Sequence, residues 1–120
     1  MKVKKKVLIA DDNSLVREVI KEVVEEKNGL EVSEATNGKE ALHLAQKTPF
    51  DLLITDICMP DGIKLVDKLR ESGSSIPIII TSSILNHHTR NHLSSHQSIY
   101  FMEKPFSIDR LGKTVENIIY

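Results

Sequence analysis

The sequence predicts an α/β domain: a five-stranded parallel sheet with five helices distributed over both faces. Three observations carry that prediction. Short apolar runs alternate with stretches of helical spacing along the whole chain, the order expected when each parallel strand is followed by a crossover helix. Several of the runs are continuously apolar, as strands covered on both faces are. The chain has 120 residues, enough for one core without metal or disulfide staples, so residues 1–120 are expected to form one domain.

Each element has a local reason. Val7-Leu8-Ile9-Ala10 is a buried strand ending in Asp11-Asp12-Asn13. Leu15, Val16, Val19, Ile20, Val23 and Val24 then form one helical stripe, capped by Asn13 or Ser14 and stopped by Asn28-Gly29. Leu30 to Ala35 alternates and predicts a half-exposed strand near an edge. After the turn at Thr36-Asn37-Gly38, a short helix carries Ala41, Leu42 and Ala45 and ends near Thr48-Pro49. A strand over Asp51–Asp56 buries Leu52, Leu53 and Ile54. A helix after Gly62 places Ile63, Leu65, Val66 and Leu69 on one face, and Ser72-Gly73 closes it.

Ile76 to Ser82 is the most apolar strand, with Pro77 near its start, where a missing donor is tolerated. Ile84 to Ser95 is polar and histidine-rich, with only Ile84, Leu85 and Leu93 to anchor a helix. Ile99 to Met102 is the fifth strand. Ser107 can cap a last helix whose inner face holds Ile108, Leu111, Val115, Ile118 and Ile119.

Composition excludes several function classes. A formal net charge of −1 gives no field directed at nucleic acid or membrane. The lysines at positions 2, 4, 5 and 6 read as a solvated end. No apolar run approaches the ~20 residues of a membrane span, and no secretory signal is visible. The single cysteine, Cys58, leaves no internal disulfide framework and suits a reducing cytoplasm.

The chemistry collects at strand ends. Asp11 and Asp12 end the first strand, Asp56 the third, Thr81 the fourth and Lys104 the fifth. In an open parallel sheet, ligands bind beyond those carboxyl ends. Clustered carboxylates repel one another unless a cation compensates, and an oxygen-only set suits Mg²⁺. A carboxylate can attack phosphorus to give an acyl phosphate, and Lys104 and Thr81 can meet the phosphoryl oxygens.

Asp11-Asp12, the run Asp56-Ile57-Cys58-Met59-Pro60, Thr81 and Lys104-Pro105 together resemble the receiver domain of two-component response regulators, of the chemotaxis-regulator type, over essentially the whole chain. The resemblance implies a flavodoxin-like sheet of order 2-1-3-4-5. It implies that Asp56 accepts a phosphoryl group from a histidine kinase or phosphotransfer protein. Asp12, Asp56 and the backbone carbonyl of Cys58 would bind Mg²⁺ directly, with Asp11 acting through water. Lys104 would pair with the phosphate beside a cis Lys104–Pro105 bond. Thr81 and Phe101 would be the switch pair: Thr81 moves toward the phosphate and Phe101 turns inward. The face made by the fourth helix, fifth strand and fifth helix would then bind a downstream protein or a second copy of the chain. Direct nucleic-acid or membrane contact is not expected, and the location implied is cytoplasmic.

Three features depart from the family pattern. Met59-Pro60 runs directly into Asp61-Gly62, so the loop is two residues short. Ser82 stands where a small residue usually follows the switch threonine. Gln97-Ser98 replaces the usual Gly-Ala before the fifth strand. These changes predict an unusual output face. Cys58 and Ser83 flank the phosphate in this family, and neither is a strong base, which predicts slow to moderate self-dephosphorylation.

His88, His92 and His96 recur every fourth residue and would share a helix face able to bind Zn²⁺. A solvated polar face is the plainer reading, because no nearby carboxylate is evident to complete the set. Two rival functions remain. One is a Mg²⁺-dependent phosphatase with an Asp nucleophile, a class that places a second acid where this chain has Cys58. The other is a phosphate-independent interaction module, against which the intact acids, hydroxyl and lysine argue.

Overall fold

A computed structural model describes residues 4–83 and 85–120. The chain runs β1 (Lys5–Ala10), α1 (Ser14–Glu25), β2 (Leu30–Ala35), α2 (Gly38–Lys47), β3 (Leu52–Asp56), α3 (Gly62–Glu71), β4 (Ile78–Ser82), α4 (His87–Ser94), β5 (Ile99–Glu103) and α5 (Ile108–Ile119). The sheet order is β2-β1-β3-β4-β5, and every neighbouring pair is parallel. The order reverses between β1 and β3, so a crevice opens beyond their carboxyl ends.

Alternation along the strands divides the core in two. Val7, Ile9, Leu52, Ile54 and Ile79 face α1 and α5, against Ile20, Val24, Leu111 and Val115. Leu8, Leu53, Ile78 and Ile80 face the other helices, against Ala41, Leu65, Val66 and Leu93. With both faces covered, β3 and β4 are buried at every residue.

Caps follow the sequence. The Asn13 side chain accepts from the Leu15 and Val16 amides at 3.0 and 3.2 Å, which settles the choice between Asn13 and Ser14. Ser107 caps α5 through the Arg110 amide. Three starts move inward. β3 begins at Leu52, not Asp51. β4 starts at Ile78, not Ile76, because Pro77 has no N–H for the ladder; its carbonyl still accepts from Leu53. α4 starts at His87, capped by Asn86, and Ile84 lies outside the described residues.

The expected apolar stripes are partly wrong. Leu15 is 72% exposed and Ile108 57% exposed, and Val19 is also exposed. Leu15 and Ile108 sit in the first turns of α1 and α5 and Val19 in the second turn of α1; Ile63, in the first turn of α3, is exposed as well. Leu15 and Val19 line an open groove with Pro105 and Phe106 instead of entering the core.

The shortened loop is accommodated by close backbone contact. Asp61 takes φ +60°, the left-handed conformation, and α3 begins at the next residue. The Gly38 amide donates to the Pro60 carbonyl at 2.9 Å, latching the loop to the start of α2. A Cβ on Gly38 would lie 2.0 Å from the Asp61 carbonyl oxygen, and one on Gly62 would lie 2.6 Å from that of Ile57. The loop thus depends on glycine at both positions.

The turn before β5, where Gln97-Ser98 stands, is also strained, at Ser98 and not at Gln97. Ser98 adopts φ +56°, while its carbonyl accepts from the Ile78 amide. Arg70 braces this turn: its guanidinium donates to the carbonyls of Ser74, Ile76 and Gln97.

Two outcomes follow for stability. Gly38→Ala should cost about 2–3 kcal/mol in urea unfolding, since backbone must move to admit the methyl. Ser98→Gly should stabilise by about 0.5–1 kcal/mol, as relief of a left-handed residue exceeds the added flexibility of the unfolded chain.

Candidate acidic site at the carboxyl edge of the sheet

Strand ends deliver the site. β1 and β3 are neighbours, so Asp11, one residue past β1, lies beside Asp56, the last residue of β3. Asp11 is fully buried and Asp56 nearly so, while Asp12 is exposed. Carboxylate oxygens of all three lie within 4.8 Å of one another. Lys104, just past β5, reaches back across the sheet: its Nζ is 3.0 Å from Asp11 Oδ2 and 3.5 Å from Asp56 Oδ2. The Lys104–Pro105 peptide bond is cis, as the resemblance implied.

Backbone donors hold the carboxylates. The Asn13 amide donates to Asp11 Oδ1 at 2.9 Å, and the Cys58 amide donates to Asp56 Oδ1 at 3.0 Å. Arg17 fixes the same corner by donating to the Asp11 carbonyl. Each buried acid therefore presents one oxygen bonded to backbone and one facing Lys104.

Three carboxylates against one ammonium leave a charge of −2 in a small pocket. A divalent cation cancels that excess, and three oxygen donors within 4.8 Å match the hard, oxygen-ligated, partly hydrated habit of Mg²⁺. The residues fit such an ion.

The other expected residues are placed as follows. Thr81 pairs in register with Asp56, but its buried hydroxyl donates to the Thr55 carbonyl at 3.4 Å. Cys58 is exposed, with its Sγ 3.6 Å from Ser82 Oγ, and Ser82 is buried. Phe101 lies outside the acidic group, half-buried on β5, with the Arg90 guanidinium 4.4 Å from its ring centroid.

One expectation is overturned. His92 and His96 do have a carboxylate beside them. Asp67, on α3, lies within 3.0 Å of both Nε2 atoms, and His88 is not part of the group. Nothing local in the sequence marks Asp67: it sits between Val66 and Lys68, 25 residues before His92. Only the packing of α3 beside α4 pairs them.

Residues 7–116 match the family model of the response regulator receiver domain. The chain belongs to that family. The receiver domain is 30% identical over 114 residues to the probable C4-dicarboxylate response regulator DctR of Bacillus subtilis, covering 92% of this chain and 50% of that protein. It is 36% identical over 118 residues to the sensor histidine kinase TmoS of Ectopseudomonas mendocina, covering 95% of this chain and 12% of that one. The receiver domain of Francisella response regulator 1452 superposes with a TM-score of 0.85 at 36% identity, covering 97% of both chains. The chain thus spans half or less of the two curated relatives. Among the described residues, no helix is long and apolar enough to cross a membrane.

Mg²⁺ should raise the unfolding free energy of this receiver domain, read from urea titration, by about 2.7 kcal/mol at a hundredfold excess over its Kd. Asp56→Asn and Asp12→Asn should lose most of that response.

Proposed function

We propose that this domain is a phosphorylation-dependent signalling switch in which Asp56 is the phosphoacceptor. The observation that carries the reading is the setting of Asp56: a nearly buried carboxylate at a strand end, beside two further acids and 3.5 Å from the Lys104 ammonium. Family membership supports it.

A carboxylate oxygen of Asp56 attacks the phosphorus of the donor. A new O–P bond forms as the bond to the leaving group breaks: P–N in a phosphohistidine, P–O in acetyl phosphate. The electron pair departs with imidazole or acetate, and solvent supplies the proton that neutral imidazole needs. When bound, Mg²⁺ supplies charge neutralisation at the phosphoryl oxygens. Asp12, Asp56 and the Cys58 carbonyl would hold it directly, and Asp11 through water. Lys104 is already poised between Asp11 and Asp56, so it can follow the added charge with a small rotation. Water then hydrolyses the acyl phosphate slowly, because neither Cys58 nor Ser83 is a strong base.

The readout runs through Thr81 and Phe101. A phosphoryl group on Asp56 offers Thr81 a charged acceptor in place of the 3.4 Å bond to the Thr55 carbonyl. Movement of that strand end frees space beside β5 for Phe101 to turn inward, displacing Arg90 from its ring. The face of α4, β5 and α5 changes and binds a downstream protein or a second copy. The phosphodonor is a histidine kinase or phosphotransfer protein, in keeping with the likeness to a sensor histidine kinase, and the setting is the cytoplasm. The domain changes its own phosphorylation state and turns over no other substrate.

Intact mass after incubation with acetyl phosphate and Mg²⁺ tests the reading. The expected result is gain of one phosphoryl unit, absent in Asp56→Ala and lost over minutes rather than seconds once donor is removed. Repeated turnover of a phosphomonoester would instead identify a phosphatase. Failure to label with acetyl phosphate or any histidine-kinase donor would leave a phosphate-independent module.

A further inference from the structure

α4 is weakly held. Leu93 is its one fully buried side chain among the described residues, and most of its other residues are exposed. Yet His92 of α4 and His96, two residues past its end, converge on one group of the neighbouring helix. His92 Nε2 lies 2.9 and 3.0 Å from the two oxygens of Asp67, and His96 Nε2 lies 2.8 Å from Oδ1. The two imidazole rings meet edge to face with centroids 5.8 Å apart. The same three residues offer ligand atoms that all lie within 4.8 Å of one another.

The geometry points to a binding site for a divalent transition-metal ion of the zinc class, formed by Asp67 of α3, His92 of α4 and His96 just past the end of α4. The donor set decides the class of ion. Two imidazole nitrogens and one carboxylate suit a borderline cation such as Zn²⁺, whereas Mg²⁺ and Ca²⁺ select oxygen alone. His92 in the last turn of α4 and His96 just past its Ser95 cap bring their Nε2 atoms to the same Asp67 oxygen, so two nitrogens and a carboxylate from a second element supply three protein ligands. Tetrahedral bonds of about 2.0–2.2 Å place ligand atoms roughly 3.4 Å apart. The present 2.8–3.0 Å contacts need open by only about half an ångström. Side chains that are partly exposed can make that change by small rotations.

Burial raises the Asp67 carboxyl, but hydrogen bonds from His96 and His92 and the charges of both rings outweigh it and bring it below the ordinary value. A bound metal ion needs both rings neutral and would take the place of their protons beside Asp67. Arg70, one turn along α3, does not compete for the site, since its guanidinium is spent on the Ser74, Ile76 and Gln97 carbonyls. A fourth coordination position stays open to water. Occupancy would tie α4 to α3. Because the proposed output face includes α4, its effect on partner binding rests on that functional reading, but metal binding itself does not.

The test is Zn²⁺ titration of the untagged chain by calorimetry in millimolar Mg²⁺, which keeps the acidic pocket filled. The expected result is one Zn²⁺ per chain with micromolar affinity, unchanged in His88→Gln and in Asp56→Asn. Loss of a carboxylate or imidazole that orients a metal ligand costs ~10–100-fold, so Asp67→Asn, His92→Gln and His96→Gln should each weaken binding by at least ~10-fold. Should a variant fail to fold, imidazole resonances of the wild type decide: Zn²⁺ should shift His92 and His96 and spare His88. The proposal is overturned by an absence of saturable binding, by binding that Asp67→Asn and His92→Gln leave intact, or by shifts confined to the acidic pocket. Loss of phosphoacceptor activity would not bear on it, and Zn²⁺ binding would not rescue a failed phosphoacceptor reading.

Discussion

Lys104 placed between two buried carboxylates is the constraint on which the rest depends. Asp11 and Asp56 arrive from different strands, and each is removed from water far enough that its charge must be met inside the protein. Backbone amides at Asn13 and Cys58 satisfy one oxygen of each; the Lys104 ammonium meets the other. With Asp12 at the rim, one lysine cannot balance three acids. The pocket is therefore built with residual negative charge, which a divalent cation could balance. In the proposed switch the same imbalance would make the site responsive, since added charge on Asp56 would redraw which oxygen Lys104 and Thr81 prefer.

That responsiveness needs walls that differ in firmness. On the α2–α3 side the loop after β3 is packed to contact: Gly38 and Gly62 approach backbone so closely that neither admits a side chain, and Asp61 is held left-handed between them. On the α4 side the protein is looser. α4 rests on Leu93, the turn into β5 carries a left-handed Ser98, and Phe101 is only half-buried, packed against the edge of the core and beneath the Arg90 guanidinium. A charge change at the sheet edge meets less resistance in that direction. The Asp67–His92–His96 cluster lies across the same boundary, so whatever occupies it alters the softer wall.

Much of this was legible in the residues. Continuous apolar runs at Leu8, Leu53 and Ile79 required strands covered on both faces, and polar residues at four strand ends pointed to one crevice, because parallel strands carry all their carboxyl ends to the same edge. Asn13 and Ser107 were readable as caps from local chemistry alone. Periodicity failed at Leu15, Val19, Ile63 and Ile108. Helical spacing marks a face, but it does not say which turns of that face lie over the sheet and which lie beyond its edge.

The sequence by itself determined the alternation of strands and helices and the kinds of groups that end each strand, since both depend on short-range periodicity and residue chemistry. Only the tertiary structure decided that Lys104 sits nearer Asp11 than Asp56, that Thr81 turns to a backbone carbonyl, that Gly38 meets Asp61, and that Asp67 completes a histidine pair. Each of those is a contact between residues more than twenty positions apart. Their distances are set by how helices settle on a twisted sheet, and no local pattern encodes that.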